Sequence, residues 1–201
     1  MQADHYNGLI AVWKEQGYTS HDVVAKLRGI LHQKKIGHTG TLDPQAEGVL
    51  AVGLGLGTKT FDLLPDHWKT YEAEVTFGVQ TDTEDIWGNV LKTHDVSKTP
   101  EEIIQAICSF GGTYDQIPPM YSAKKIDGKK LYQLAREGKI VERKAVPVTL
   151  KDIQVLSVKD NKARFIVTCS AGTYIRTLCV DIGKKLGCEA CMSSLTRVMA
   201  G

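Results

Sequence analysis

The sequence predicts an α+β fold built on a mixed or antiparallel sheet with flanking helices. Strand patterns are numerous, helical patterns are scattered among them, and the order lacks the regular strand–helix alternation of a doubly wound parallel sheet. There is no internal repeat and no low-complexity linker. The 201 residues suffice for one large domain or two small ones.

Residues 7–14 read as a short buried strand. Ser20 is placed to cap a helix carrying Val23, Val24, Leu27 and Leu31 at a spacing near 3.6. Residues 36–48 are rich in Gly, Thr, Asp and Pro and read as loop, and residues 49–54 as a buried strand. One or two helical turns are expected over 58–64, ended by Pro65. Residues 70–79 alternate as a strand does, with 87–92 as its neighbour across a polar turn. Pro100 opens a helix in the favoured first-turn position, running to about Phe110. Residues 111–117 form another strand candidate, and 129–136 a helix ended by Gly138. Residues 148–158 and 163–169 pair around a turn at Asp160-Asn161. Residues 172–186 read as a helix stopped by Gly187.

Composition excludes several classes. The apolar and charged fractions are ordinary for a globular protein. No apolar run reaches bilayer-spanning length, so no membrane partner is expected. Residues 1–8 lack the parts of a signal peptide, and the expected location is cytoplasmic. Five cysteines cannot all pair within one chain. Cys188-Glu-Ala-Cys191 has the spacing of half a zinc site, but Cys108, Cys169 and Cys179 supply no second half, so reduced thiols and no metal are expected. Net charge is only +2, yet its distribution is uneven. Lys124, Lys125, Lys129, Lys130, Arg136, Lys139, Arg143 and Lys144 crowd the stretch 117–146, against Asp127, Glu137 and Glu142. This is either a solvated face or an arm that binds phosphates.

Gly53-Leu-Gly55-Leu-Gly57-Thr-Lys59-Thr60 resembles a phosphate loop but fails on spacing, since Thr58 stands where Gly must precede the lysine. A dinucleotide fingerprint fails at the same position. Close backbone packing where a strand turns into a helix is the expected role. No cofactor is implied.

Gly37-His38-Thr39-Gly40-Thr41-Leu42-Asp43-Pro44-Gln45-Ala46-Glu47-Gly48 is the most informative stretch. It presents Asp43 at the centre of a glycine-flanked loop, and Pro44 biases Asp43 toward an extended conformation. The residues alone leave two roles open, a catalytic carboxylate or an Asx-turn that stabilises the loop.

This run resembles the catalytic-loop signature of the TruB family of pseudouridine synthases, and the resemblance covers essentially the whole chain. Lys69-Thr-Tyr71-Glu-Ala is similar to the family's motif with the active-site tyrosine, and Gly78-Val-Gln-Thr-Asp82-Thr-Glu-Asp85 to its acidic turn. Ile117-Pro-Pro-Met-Tyr121-Ser-Ala-Lys124 through Leu131-Tyr132 is similar to the start of its RNA-binding insertion. Cys169-Ser-Ala-Gly172-Thr-Tyr174-Ile-Arg176-Thr and Leu195-Thr-Arg197 are similar to its last two active-site motifs.

The resemblance implies a pseudouridine synthase fold and an isomerase that converts the T-loop uridine at position 55 of tRNA to pseudouridine. Asp43 would be the essential carboxylate, attacking C1′, deprotonating C2′ or adding to C6 of the base. Arg176 would pair with it, with a cleft between the Asp43 loop and the Tyr174–Arg176 segment. Tyr71 would stack on the flipped base, and Tyr174 and Leu195 would complete the base pocket. His38 would contact the RNA around the vacated position. Lys124, Lys129, Lys130 and Arg136 would meet the RNA backbone from a mobile insertion at about 118–147.

Two departures from the family pattern stand out. Trp13 and Glu15 replace the usual Asp and Pro around Lys14, which is still expected to face the active site. The chain also stops at Gly201, where family members usually continue into a C-terminal RNA-binding module, often of the PUA type. The expectation is therefore a single catalytic domain, 1–201, without that module and monomeric, needing no protein partner. A guide-dependent synthase of the dyskerin kind and a non-catalytic RNA-binding protein or tRNA chaperone are the rivals. Folding assistance alongside catalysis is compatible with the same residues.

Overall fold

The computed structural model describes residues 5–63, 68–126 and 128–201; the side chains of Lys125 and Ile126 are outside that description. Leu64 and Pro65, expected at the end of a helical segment, and Asp127 of the basic stretch lie outside the described residues. In chain order the elements are β1 (Gly8–Lys14), α1 (Ser20–Leu31), β2 (Ile36–Thr39), β3 (Glu47–Leu54), two 3₁₀ turns (Gly55–Lys59 and Phe61–Leu63), β4 (Lys69–Phe77), β5 (Val79–Thr81), β6 (Val90–Thr93), α2 (Pro100–Cys108), β7 (Gly112–Gln116), β8 (Lys125–Ile126), β9 (Lys129–Lys130), α3 (Leu131–Arg136), β10 (Val146–Lys159), β11 (Lys162–Cys169), α4 (Ile175–Leu186) and β12 (Ala190–Ala200). The chain divides into two units, residues 1–72 with 194–201, and residues 73–193. The α+β expectation holds, with strands and four helices interspersed among the described residues.

In the first unit, β1 runs antiparallel to β3 along its whole length, from Gly8 opposite Leu54 to Lys14 opposite Gly48. The end of β12 joins β3 in parallel, Arg197 opposite Gly48, so the sheet is mixed. The apolar face of α1 packs Val23, Val24, Leu27 and Leu31 onto Ile36, Leu50, Val52 and Leu54. The strand over 7–14 is not wholly buried as expected. Its alternation sets Ile10 and Val12 against this core and leaves Leu9 and Trp13 exposed.

Three further readings of this unit need correction. Thr19, not Ser20, caps α1: its side chain accepts the Asp22 N–H, and the Asp22 carboxylate accepts the Thr19 N–H. Residues 36–48 are not all loop, since Ile36–Thr39 pairs antiparallel with β3. The helical turns near residue 58 are 3₁₀ and begin at Gly55. The glycine-rich stretch serves close packing as expected, because a Cβ at Gly57 would overlap the Gly8 carbonyl.

In the second unit, β7, β10 and β11 form an antiparallel run. Asp160 and Asn161 both take positive φ (52° and 59°) in the tight turn joining β10 to β11. Pro100 sits in the first turn of α2, and Thr99 with Glu102 forms its capping box. That helix packs on β10 and α4. Buried Ile103, Ile107, Val148, Leu150, Phe165, Val167, Leu178 and Ile182 supply the core. α4 starts at Ile175 rather than Gly172, because residues 170–173 form a turn in which the Thr173 hydroxyl donates to the Ser170 carbonyl. Gly187 (φ 71°) ends it as expected. The strand over 87–92 is shorter, Val90–Thr93, and its partner is β5. β12, an eleven-residue strand, is not anticipated by the sequence reading.

Candidate functional site

The Asp43 loop hangs between β2 and β3. Leu42 and Ala46 are buried on either side of the half-buried Asp43, so the two neighbours anchor the carboxylate's position. The Leu42 N–H donates to Ser20 Oγ at 2.9 Å, and that hydroxyl faces the Leu42 carbonyl at 3.3 Å. The Gly17 N–H donates to the Pro44 carbonyl at 2.8 Å, and the Ala46 N–H to the Asp43 carbonyl at 3.1 Å. Fixed backbone on both sides leaves little freedom to residue 43 itself, which suits a carboxylate that must be aimed.

Lys14 lies wholly buried. Its ammonium donates to the carbonyls of Tyr18 (2.6 Å), Glu15 (3.0 Å) and Pro44 (3.3 Å), so it staples the chain before α1 to the loop. Burial is the main cause lowering its pKa, and Arg197 pushes the same way. Asp43 and Glu47 oppose both by favouring the charged form.

Arg197, also wholly buried, is a residue the sequence reading quoted in a motif without giving it a role. Its Nε donates to the Val49 carbonyl at 2.8 Å, while Nη1 and Nη2 are buried without a hydrogen-bond acceptor. Gly40 and Gly48 make room for it. A Cβ at Gly40 would lie 3.2 Å from Nη1, and one at Gly48 would overlap the Arg197 backbone.

His38 is half-buried on β2, with Nδ1 buried and not hydrogen-bonded. Burial, then His21 and Arg197, lower its pKa, which keeps the ring neutral at physiological pH. Tyr71 on β4 and Leu195 on β12 are each 7% exposed. The first unit thus holds Lys14, His38, Asp43, Tyr71 and Leu195 of the expected residues.

The second unit holds Tyr174 and Arg176. A cation in the first turn of a helix opposes the helix dipole, and burial adds a desolvation cost. Arg176 is only 5% exposed and has oxygen partners to offset both. Nη1 donates to the Thr83 carbonyl at 2.8 Å and Nη2 to the Tyr121 carbonyl at 2.7 Å, and Asp85 Oδ2 lies 4.0 Å from Nη1. The acidic turn is itself braced. Thr83 Oγ1 donates to Asp85 Oδ1 at 2.7 Å, and both Asn89 amide groups donate to Asp82. Gln116, wholly buried and absent from the sequence reading, holds the main chain of Tyr174 from both sides. Its Oε1 accepts the Tyr174 N–H at 2.8 Å and its Nε2 donates to the Tyr174 carbonyl at 3.1 Å.

The basic residues lie between β7 and β10. Arg143 Nη1 donates to the Pro118 carbonyl at 3.0 Å and ties the two ends of this segment together. Lys129 and Arg136 are exposed, and Lys124 and Lys130 half-buried. Lys130 and Arg136 both lie within 6 Å of the Tyr132 ring, at 5.6 and 5.4 Å. Among the described residues no group of three or more His, Cys, Asp or Glu side chains is arranged to hold a metal, and no helix is long and apolar enough to cross a membrane.

Residues 28–175 match the profile of the TruB family pseudouridylate synthase (N terminal domain). The chain is similar to proteins named tRNA pseudouridine synthase B. Identity is 52% with that of Alkaliphilus oremlandii (95% of this chain, 64% of the relative) and 50% with that of Clostridium novyi (97% and 68%). It thus spans about two thirds of the length of these curated relatives. Among solved structures it resembles a chain in the crystal structure of a Cbf5-Nop10-Gar1 complex, with a TM-score of 0.74 and 34% identity over 96% of this chain and 49% of that one. A chain in the structure of an H/ACA RNP bound to a substrate RNA containing 2'-deoxyuridine gives 0.70 and 31%, over 96% and 47%. The match to the family profile over most of its length, with the anchored Asp43 loop inside it, places this chain in the TruB family of pseudouridylate synthases.

Proposed function

We propose that this chain isomerises the T-loop uridine at position 55 of tRNA to pseudouridine, with Asp43 as the essential carboxylate. The observation that carries the reading is about 50% identity, over nearly the whole chain, to proteins named tRNA pseudouridine synthase B. The rigid presentation of Asp43 supports it.

The chemistry needs no external reactant. The N1–C1′ bond breaks, the uracil turns, a C5–C1′ bond forms, C5 loses its proton and N1 gains one. The target base must first leave its stack, at a cost of a few kcal/mol. Asp43 then acts in ionised form, as nucleophile at C1′ or C6 or as base at C2′. Arg176 serves as the partner that aims the carboxylate through its planar fork. Tyr71 stacks on the base, Tyr174 and Leu195 close the pocket, and neutral His38 contacts the surrounding loop. Lys14 serves the chemistry through the loop it staples. Lys124, Lys129, Lys130 and Arg136 meet RNA phosphates, and the protein works as a monomer without a cofactor.

The test is incubation with unmodified tRNA carrying tritium at C5 of its uridines. One tritium released per tRNA, with pseudouridine mapped to position 55, is the expected result. Likeness to a chain of an H/ACA RNP raises a guide-dependent mode, and that mode requires a guide RNA for release. No release from bare tRNA removes the proposed reading.

A further inference from the structure

Arg176 is gripped by backbone carbonyls, and one of them belongs to a residue whose neighbour is in an unusual conformation. Glu84 has φ 66°, a left-handed geometry that costs a non-glycine residue free energy and persists only where its surroundings hold it. Three hydrogen bonds hold the turn around it, two of them made by Glu84 itself. The Met192 N–H donates to the Glu84 carbonyl at 3.0 Å, and the Ile86 N–H donates to the Met192 carbonyl at 2.8 Å, which pins the turn to β12. The third is the Thr177 hydroxyl, which donates to Glu84 Oε2 at 2.7 Å.

We propose that Glu84 and Thr177 form a latch that positions Arg176. It is a two-point contact between adjacent residues on each side. Thr83 takes Arg176 through its carbonyl, and Glu84 takes Thr177 through its carboxylate. Arg176 and Thr177 lie in the first turn of α4, so a shift of the turn that lengthens one contact lengthens the other. The Thr83 carbonyl is one of two that hold the Arg176 guanidinium, the other being that of Tyr121. The Glu84 contact, one residue along, fixes the direction of the Thr83 carbonyl and hence of the guanidinium.

Glu84 and Thr177 line a cavity of about 290 Å³ with Asp115, Arg143, Asp181 and Lys184. Glu84 is the acid there that reaches back to α4 beside Arg176. Burial raises its pKa, opposed by the Thr177 hydrogen bond and by Arg176, Lys184 and Arg143. A half-buried carboxylate held by a threonine hydroxyl is a fitting way to hold an arginine that must not move.

The proposal rests on Arg176 belonging to the pseudouridine-forming site, so its test has a second readout that is independent of activity. Wild type, Thr177→Val, Glu84→Ala and Glu84→Gln are compared in single-turnover assays on bare tRNA at saturating enzyme, alongside RNA affinity. Thr177→Val and Glu84→Ala should lower the rate by about tenfold or more, with affinity within about threefold, as expected for a displaced positioning group. Glu84→Gln keeps an oxygen that accepts the Thr177 hydroxyl and should stay within about threefold of wild type. The guanidinium nitrogen signals of Arg176, assigned by their loss in Arg176→Lys, are followed by NMR. Separate Nη signals in wild type and Glu84→Gln should merge in Thr177→Val. Wild-type rates in Thr177→Val and Glu84→Ala, or loss confined to RNA affinity, overturn the latch. So do Nη signals unchanged by Thr177→Val, even if the wild-type protein makes no pseudouridine.

Discussion

Ser20 Oγ accepts the Leu42 N–H at 2.9 Å, which ties the first turn of α1 to the residue just before Asp43. Both groups are buried, so this hydrogen bond has no exchange with water to soften its loss. Ser20→Ala leaves the Leu42 N–H unsatisfied and should destabilise the protein by about 1–3 kcal/mol. Because the unsatisfied group adjoins Asp43, the single-turnover rate should fall as well. Urea unfolding and a tRNA assay on the same variant read the two effects. A variant with wild-type stability and rate would show that the helix does not hold the loop.

Asp43→Asn should abolish turnover while RNA affinity stays within about tenfold, since asparagine matches the size of aspartate but supplies neither nucleophile nor base. Single-turnover product formation and filter binding separate the two quantities. Substantial activity in the variant would remove Asp43 from the chemistry.

Several candidate site residues are picked out in the sequence by local order. Asp43 stands next to Pro44 in a run of small residues, and Arg176 stands in a motif with Tyr174. The capping box of α2 and the Asp160-Asn161 turn are local in the same sense. What escapes is whatever depends on partners far along the chain. Lys14 reads as a side chain facing an active site, and nothing in the local sequence shows that its ammonium donates to three carbonyls, one of them thirty residues away. Arg197 stands in a motif that gives it no role, Gln116 carries no local signal, and their placement is decided by β3 and by the main chain of Tyr174. β12 was missed because its first three residues are buried without alternation, so the period of a strand is lost there. The cap of α1 was legible: Thr19-x-x-Asp22 is a capping-box spacing, and Ser20 diverted the reading.

The basic segment offers a salt test. Lys129 and Arg136 are exposed, and Lys130 is half-buried beside the Tyr132 ring. If these residues track phosphates, replacing all three by alanine should weaken RNA binding and make its salt dependence shallower. Each lost contact should reduce the slope of log K against log salt by about 0.7–0.9. An unchanged slope would assign the segment to solvent.

Stability should carry the signature of Glu84. Its folded pKa is raised above the ordinary 4.5, chiefly by burial, so the folded state holds this proton more tightly than the unfolded chain. The contribution to stability is therefore complete below the unfolded value and is lost as pH rises through the folded one. Glu84→Gln removes that titration while the other groups titrate alike in both proteins. The variant should gain on wild type as pH rises from about 4.5 upward. Urea unfolding of both proteins across that range measures the difference, and a constant difference would mean that Glu84 titrates normally.

The last prediction concerns how much of the tRNA is recognised. The motifs assigned to the chemistry lie within residues 37–197, and flipping the base and aiming Asp43 depend on groups near the reacting uridine. Phosphate contacts elsewhere position the RNA and contribute affinity, with little effect on the geometry of the reacting atoms. An isolated T-arm hairpin should therefore be modified nearly as well as whole tRNA, with similar single-turnover rates at saturation. Any advantage of whole tRNA should lie in slower dissociation. The comparison is kcat/KM for the two substrates. A preference for whole tRNA above about a hundredfold, or about 2.7 kcal/mol, would mean that distant parts of the molecule are read in the transition state. Recognition local to the T-arm would then be wrong, even with Asp43 chemistry intact.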